Sequence, residues 1–438
     1  MLSNNAQKWL ESFLQDYFGV PITLKKIGNS INLNVNDICF VKFDHFNSDF
    51  YRIGKTELNC GIWNPEEEGF RDILKSGIYS PGYEGQKIFE LNKGTYYCHF
   101  DILGLIYWCL NRLEEIGAKN LDKHERYNYF ESHAYKYNYI EYPIVDQWLD
   151  IVKQLILKID PTITLKENKF EVVTTHDVDR PYRYFFSNLN VALKSALVDL
   201  IKHKSFLGFL MVGGKFFNKK NIFKLDPYNT FNWLMEKSEK NNLKSRFYFI
   251  CGGKTKFDAN YSVNNYVIKK LINQIKRRGH EVGIHPSYGC YLNPEQIQYE
   301  VTELKNIIGP EHKIGARMHY LRFKYPETLI YLNDANVEYD STLGYAEHIG
   351  FRCGTSHEYT PFNPITQQSL SIKVLPLILM EGTLYHYMNL SLNEKTLNRV
   401  LLLKKRCQFF NGNFTILWHN SELRSFKQRK FYESIISS

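Results

Sequence analysis

Thr175-His176-Asp177-Val178-Asp179 closes an apolar run, Phe170 to Thr175, that reads as a buried strand. Side chains alternate along a strand, so two carboxylates two residues apart aim at the same face. Like charges placed so close repel unless a cation or a shared proton lies between them. A metal site is therefore the first hypothesis. The other reading is a strand-to-loop turn in which Asp177 and Asp179 cap backbone amides. The pentapeptide alone does not choose between the two.

Working outward, the chain after about residue 165 alternates strands with capped helices. Strands are expected at 170–175, 245–250, 281–285, 313–318, 337–340, 372–379 and 414–419. Asp226-Pro227, Ser262, Asn293-Pro294 and Tyr325-Pro326 mark helix starts between them. Seven strands in this alternation imply a parallel sheet, open or closed. Polar residues then recur at strand ends: Asp177 and Asp179, His285, Arg317 and His319, Asp340, and His419. Side chains from so many strand ends converge only around a common centre, which favours a barrel. Residues 186–225 exceed an ordinary connection and are expected as an insertion beside the mouth of the site.

The first 160 residues read as a smaller α+β accessory domain, leaving 165–438 for the barrel. A helix capped by Asn5, a hairpin (Ile22 to Ile27, Gly28-Asn29-Ser30, Ile31 to Val35) and helices near 101–116 and 143–158 are expected there. It shows no repeat and no cluster of catalytic residue types.

At 438 residues, 44% of them hydrophobic and 15% aromatic, the chain is long enough for two or three ordered domains. Its net charge of +9 is spread over many lysines. That pattern argues little for nucleic acid and equally for anionic glycans or membrane surfaces. The eight cysteines form no CxxC pair, which speaks against a disulfide scaffold or a cysteine zinc knuckle and suits a reducing compartment. Residues 1–20 lack an apolar signal core, so a cytoplasmic protein is expected. The longest apolar run, Phe206 to Gly214, is followed by Lys215, Lys219 and Lys220 and is too short to span a bilayer. It reads as a loop packed on the protein, with peripheral contact to a membrane surface as the alternative.

Four motifs, in order, resemble the polysaccharide deacetylases of the NodB-homology type over roughly residues 165–425. They are Thr175-His176-Asp177-Val178-Asp179, Gly279-His280-Glu281-Val282-Gly283-Ile284-His285-Pro286-Ser287, Arg317-Met318-His319-Tyr320 and Thr415-Ile416-Leu417-Trp418-His419-Asn420. The resemblance implies a distorted seven-stranded (β/α) barrel with a divalent metal, zinc before others. It implies Asp177 as general base, Asp179 and His285 as metal ligands, Arg317 as orienter of the base and His419 as general acid. Three departures matter, the first being Val178 between the two carboxylates where the family has adjacent aspartates. Gly289 stands where the family places a second histidine ligand, and His319 stands where it has proline. His319 is taken as the third ligand, with His176 as the other local candidate. Residues 101–126 are also similar to an accessory domain that precedes some bacterial members.

The chemistry fits amide hydrolysis, which needs an activated water, a polarised carbonyl and a proton for the departing amine. Arg317, or Arg352 in Gly350-Phe351-Arg352, would hold Asp177 ionised. Arg352, Asp340, Tyr320 and Trp418 are the expected substrate contacts. Each residue has a plainer reading. His419 by itself is more often a hydrogen-bonded core histidine, Arg317 a loop salt bridge, and Asp340 a turn cap. The reading that follows is a metal-dependent N-deacetylase acting on an N-acetylated sugar in bacterial surface-polysaccharide assembly, with no nucleic-acid partner. Its rivals are a carbohydrate-binding protein on a barrel that has lost its metal, and a hydrolase of a different amide.

Overall fold

The computed structural model describes residues 2–216 and 222–437. Its large sheet is built from strands β1 (Glu171–Val178), β2 (Arg246–Phe249), β3 (Glu281–Ile284), β4 (Gly315–Ala316), β5 (Tyr339–Asp340), β6 (Lys373–Val374), β7 (Leu379–Met380) and β8 (Asn413–Leu417). The sheet therefore has eight strands where seven were expected. The extra strand comes from the apolar run 372–379. Pro376 interrupts it, has no N–H to give a ladder, and leaves two-residue strands on either side. The pairing order ends at β6 and β7 and does not close among the described residues, so the sheet is a half-barrel.

Two compact units are formed. The second, Val172–Tyr320 with Met380–Val400 and Ile416–Ser438, contains most of β1 and all of β2, β3 and β4. These four strands pair in parallel: β1 with β2, β2 with β3, and β3 with β4. Seven of the eight β1 residues are buried, with both faces covered. A parallel strand covered on both sides reads as a continuous apolar run, which is why this segment stood out in the sequence. The Pro294–Ile308 helix starts as expected, with the Asn293 side chain accepting from Gln296 N–H. Two other starts fall later. The Tyr266–Arg277 helix is capped by Asn265 rather than Ser262, and the Phe231–Lys240 helix follows Thr230. Asp226 instead accepts the backbone N–H groups of Arg183 and Tyr184. The stretch 206–214, expected as a packed loop, lies from Leu207 onward in a helix, Leu207–Phe216, next to the helix Leu189–His203. Lys219 and Lys220 lie outside the described residues.

The first unit comprises Met1–Glu171, Leu321–Leu379 and Leu401–Thr415. It contains a five-stranded sheet that includes the expected hairpin, Ile22–Ile27 with Ser30–Val35. The helix Asn4–Phe18 is capped by Ser3 rather than Asn5, the serine hydroxyl accepting from Ala6 N–H. Trp63 stacks on Trp148 at 5.1 Å between centroids, and Phe100 covers the other side at 4.9 Å.

His133 in this unit is buried between the Tyr139 hydroxyl (2.7 Å) and the Leu58 carbonyl (2.9 Å). Nε2–H donates to the carbonyl, and Nδ1 accepts from the tyrosine. Burial lowers its pKa to about 4, so the folded protein resists a proton that the unfolded chain accepts. Stability should be constant above the ordinary histidine value and fall as pH drops from about 6.5 towards 4, by on the order of 3 kcal/mol. The urea midpoint measured across that window checks this, and its slope should flatten in His133→Gln.

Candidate metal centre

The β1–β4 ladder places the site residues. Beyond the strand ends the parallel pairing continues: His285 N–H donates to Phe249 O (2.8 Å), Arg317 N–H to Ile284 O (3.1 Å), and His319 N–H to Pro286 O (3.1 Å). On the other side of β1, Trp418 N–H donates to Thr175 O (2.9 Å). Asp177, Asp179, His285, His319 and His419 are thereby set at adjoining strand ends.

Asp179, His285 and His319 each turn one ligand atom into a common space, and these atoms lie within 4.8 Å of one another. Asp179 Oδ1 stands 3.2 Å from His285 Nε2 and 3.6 Å from His319 Nε2. Ligand atoms about 2.1 Å from a tetrahedral zinc stand roughly 3.4 Å apart, so these separations suit a shared ion. Asp179 Oδ1 and Asp177 Oδ1 are both buried without a hydrogen bond of ordinary geometry. Such atoms are costly unless something else neutralises them. His285 donates Nδ1–H to the Arg317 carbonyl, which fixes its tautomer and leaves the Nε2 lone pair facing the carboxylates. His319 has Asp258 on its far side, with Nδ1 3.8 Å from Oδ1. Asp258 itself accepts the N–H groups of Tyr288 and Thr255.

The electrostatics of the cluster favour positive charge. Burial pushes the Asp179 carboxyl up, but His319 and the hydrogen bonds of the surrounding histidines hold it well below the usual carboxylate range. Burial lowers the His319 pKa, and Asp179 and Asp258 more than reverse this, raising it to about 9. Burial likewise raises Asp258, yet His319 and the two backbone N–H groups bring it down to about 2. A cation between Asp179 and the histidines would take the place of the His319 proton.

His419 faces the same space, its Nε2 3.5 Å from Asp179 Oδ2, and its side chain is 20% exposed. Its Nδ1 bonds Glu381, a fully buried carboxylate that also accepts the His419 backbone N–H at 3.1 Å. Burial opposes protonation of His419, but Glu381 and Asp179 together hold its pKa well above the usual imidazole range. Asp177 lies on the His285 side, Oδ2 to Nε2 3.6 Å. Arg317 is buried, donates to Thr175 Oγ1 at 3.0 Å and lies over the Tyr248 ring.

Glu381 and Asp258 are the site residues that sequence reasoning missed as such. Glu381 had a signal, being the acid that ends the apolar run Val374 to Met380. Asp258 opens the Asp258 to Tyr261 segment after the second strand, which reads most simply as a turn and otherwise as a source of a residue at the rim of the site.

Other expectations are corrected. His176 is no ligand. It lies on the opposite face of β1, bonded to Trp418 O (2.8 Å) and Ser245 Oγ (3.2 Å), and burial lowers its pKa to about 3. Trp418 is fully buried against Tyr432 and Phe431 and has no surface for a substrate. Arg352 is buried in the first unit, where its Nε and Nη2 donate to Glu115 (3.0 and 2.6 Å), so its charge is paired with that carboxylate. Asp340, also buried there, accepts from the Thr342 N–H (3.0 Å) and hydroxyl (2.5 Å), which is the turn cap. Tyr320, another of the expected substrate contacts, adjoins the cluster. It is partly exposed, with its ring 4.8 Å from that of His319.

Residues 8–161 match a family of unknown function, DUF7033, a match that spans less than half of the chain. No curated protein matches the chain. Among solved structures, a presumed polysaccharide deacetylase from Mycobacterium smegmatis is similar at 15% identity and a TM-score of 0.39, covering 62% of this chain and 85% of that one. Puue allantoinase is similar at 10% identity and a TM-score of 0.38, covering 61% and 83%. No helix among the described residues is long and apolar enough to cross a membrane.

Proposed function

We propose that this protein is a metal-dependent amide hydrolase that removes the acetyl group from an N-acetylated amino sugar. The observation that carries the reading is the cluster of Asp179, His285 and His319, with ligand atoms within 4.8 Å of one another, flanked by Asp177 and His419. One carboxylate and two imidazoles form the donor set of a three-protein-ligand zinc site, which keeps a position open for water or substrate. A divalent ion held there supplies a polarised acyl oxygen and a water of lowered pKa.

The remaining work falls to this chain's own groups. Asp177, acceptor-only when ionised, takes the proton of the attacking water. As the carbon–nitrogen bond breaks, His419 Nε2–H delivers a proton to the departing nitrogen, giving a carboxylic acid and a free amine. Glu381 keeps Nδ1 of His419 engaged, so the proton to be delivered stands on Nε2, the nitrogen that faces the cluster. Arg317 supports the base through Thr175, two residues before it on the same face of β1. Tyr320 offers a ring to the sugar. The chemistry lies in the second unit, and none is assigned to residues 1–160, which we read as an accessory domain. Bacterial surface-polysaccharide assembly is the setting proposed.

The test is acetate release from a panel of N-acetylated amino sugars, free, nucleotide-linked and lipid-linked, with zinc, cobalt or manganese supplied. Release that stops on chelation, returns with metal and is lost in Asp177→Asn is the expected result. Stoichiometric metal with no acetate and no free amine from any acceptor would remove the deacetylase reading.

A further inference from the structure

The geometry points to a membrane-docking surface on the two inserted helices, Leu189–His203 and Leu207–Phe216, whose partner is an anionic phospholipid bilayer. On the first helix Ala192 and Ala196 are buried in a small core with Tyr184 and Met211. Next to that buried face, Leu189, Leu193, Leu197 and Ile201 repeat every four residues and are exposed by 43%, 41%, 50% and 77%. Residues four apart on a helix stack into one stripe. Phe206 (69%) and Leu210 (66%), at the start of the second helix, add another exposed pair with the same spacing. An apolar face of this length is rare on a surface that meets only water.

Charge identifies what covers it. Residues 186–225 contain seven lysines and one acid, Asp199. That acid is buried and already held by Arg183 (2.8 Å) and Arg424 (2.9 Å), so it faces no partner. Lys194, Lys204 and Lys224 are exposed. Leucine, isoleucine and phenylalanine bordered by lysine are the composition of a helix that lies in a bilayer interface and is drawn to anionic headgroups. A second copy of the chain would set lysine against lysine across a two-fold axis. The insertion leaves the chain within ten residues of Asp179, so docking would hold the metal cluster's end of β1 at the bilayer. The proposal itself does not depend on what that cluster catalyses.

The full chain is sedimented with vesicles of equimolar phosphatidylglycerol and phosphatidylcholine, and with phosphatidylcholine alone. The expected result is binding to the anionic vesicles at least about tenfold tighter than to the neutral ones, weakened by salt. The double variant Ile201→Glu/Phe206→Glu and the charge variant Lys194→Glu/Lys204→Glu should each lose about tenfold or more while keeping the wild-type melting temperature. All four positions are exposed, so neither variant disturbs a core. Absence of binding by the wild type, or binding that neither variant weakens, overturns the proposal. So does a dimer, seen by light scattering, that Ile201→Glu/Phe206→Glu dissolves, because a second copy would then cover the face.

Discussion

Replacing Asp179, His285 or His319 by alanine, one at a time, is expected to cost the protein its divalent ion. Loss of a residue that merely orients a metal ligand lowers affinity by about 10- to 100-fold, and loss of a ligand should exceed that. His319 is the decisive case. On the proposed reading it is the third ligand, and without it Asp179 and His285 would form a two-ligand site too weak to retain zinc through purification. Metal content by mass spectrometry, with circular dichroism to establish folding, reads the outcome directly. His176→Ala should keep its metal, since that ring is bonded on the far side of β1. Full occupancy in His319→Ala would show that His319 is not a ligand, and full occupancy in all three variants that the cluster is not the binding site. Absence of bound metal in the wild type, even after reconstitution, would instead return the carbohydrate-binding reading to the front.

Glu381→Gln should leave the metal in place and lower kcat by roughly 10²- to 10⁴-fold, the range of a lost general acid. Gln cannot supply the negative charge that holds the His419 pKa well above its usual range against burial. The sign follows from that. With Glu381 present, His419 stays protonated to higher pH, so removing the charge must move the alkaline limb of the pH–rate profile to lower pH. A merely structural loss would lower the rate without moving the limb. The double variant Glu381→Gln/His419→Ala should be little worse than His419→Ala alone, because the two act as one unit. An unshifted limb, or fully additive losses, would mean that Glu381 does not act through His419.

Much of this site was legible because β1 and its neighbours are short, buried and parallel. In such strands a charged residue at the C-terminal end stands out against apolar sequence, and Asp177, Asp179, His285 and His419 all do. What stayed hidden depends on contacts across long stretches of chain. The partner of Arg352 is Glu115, 237 residues away, and nothing near Gly350-Phe351-Arg352 announces it. Glu381 lies 38 residues from His419 and follows the run 372–379, which read as one strand ending before the acid although Pro376 divides it. The Trp418 assignment failed for a reason already present in the strand period. If His419 faces the site, the residue before it points the other way, into the contact with Tyr432. The inserted helices were hidden differently, since an apolar run beside lysines reads alike whether its rings face the protein or the outside.

His285 takes its orientation from the backbone carbonyl of Arg317 rather than from another side chain. A side-chain partner can be deleted by a single base change in the gene, whereas a main-chain oxygen is supplied by every amino acid. The ligand's aim is therefore robust to substitution at position 317, even where the guanidinium itself is lost. It is sensitive instead to length. One residue added or removed within β3 or β4 would slide a different carbonyl past the imidazole and turn Nε2 away from Asp179. The family tree of such a site should show almost no gaps beside that position, whatever holds the guanidinium itself in place.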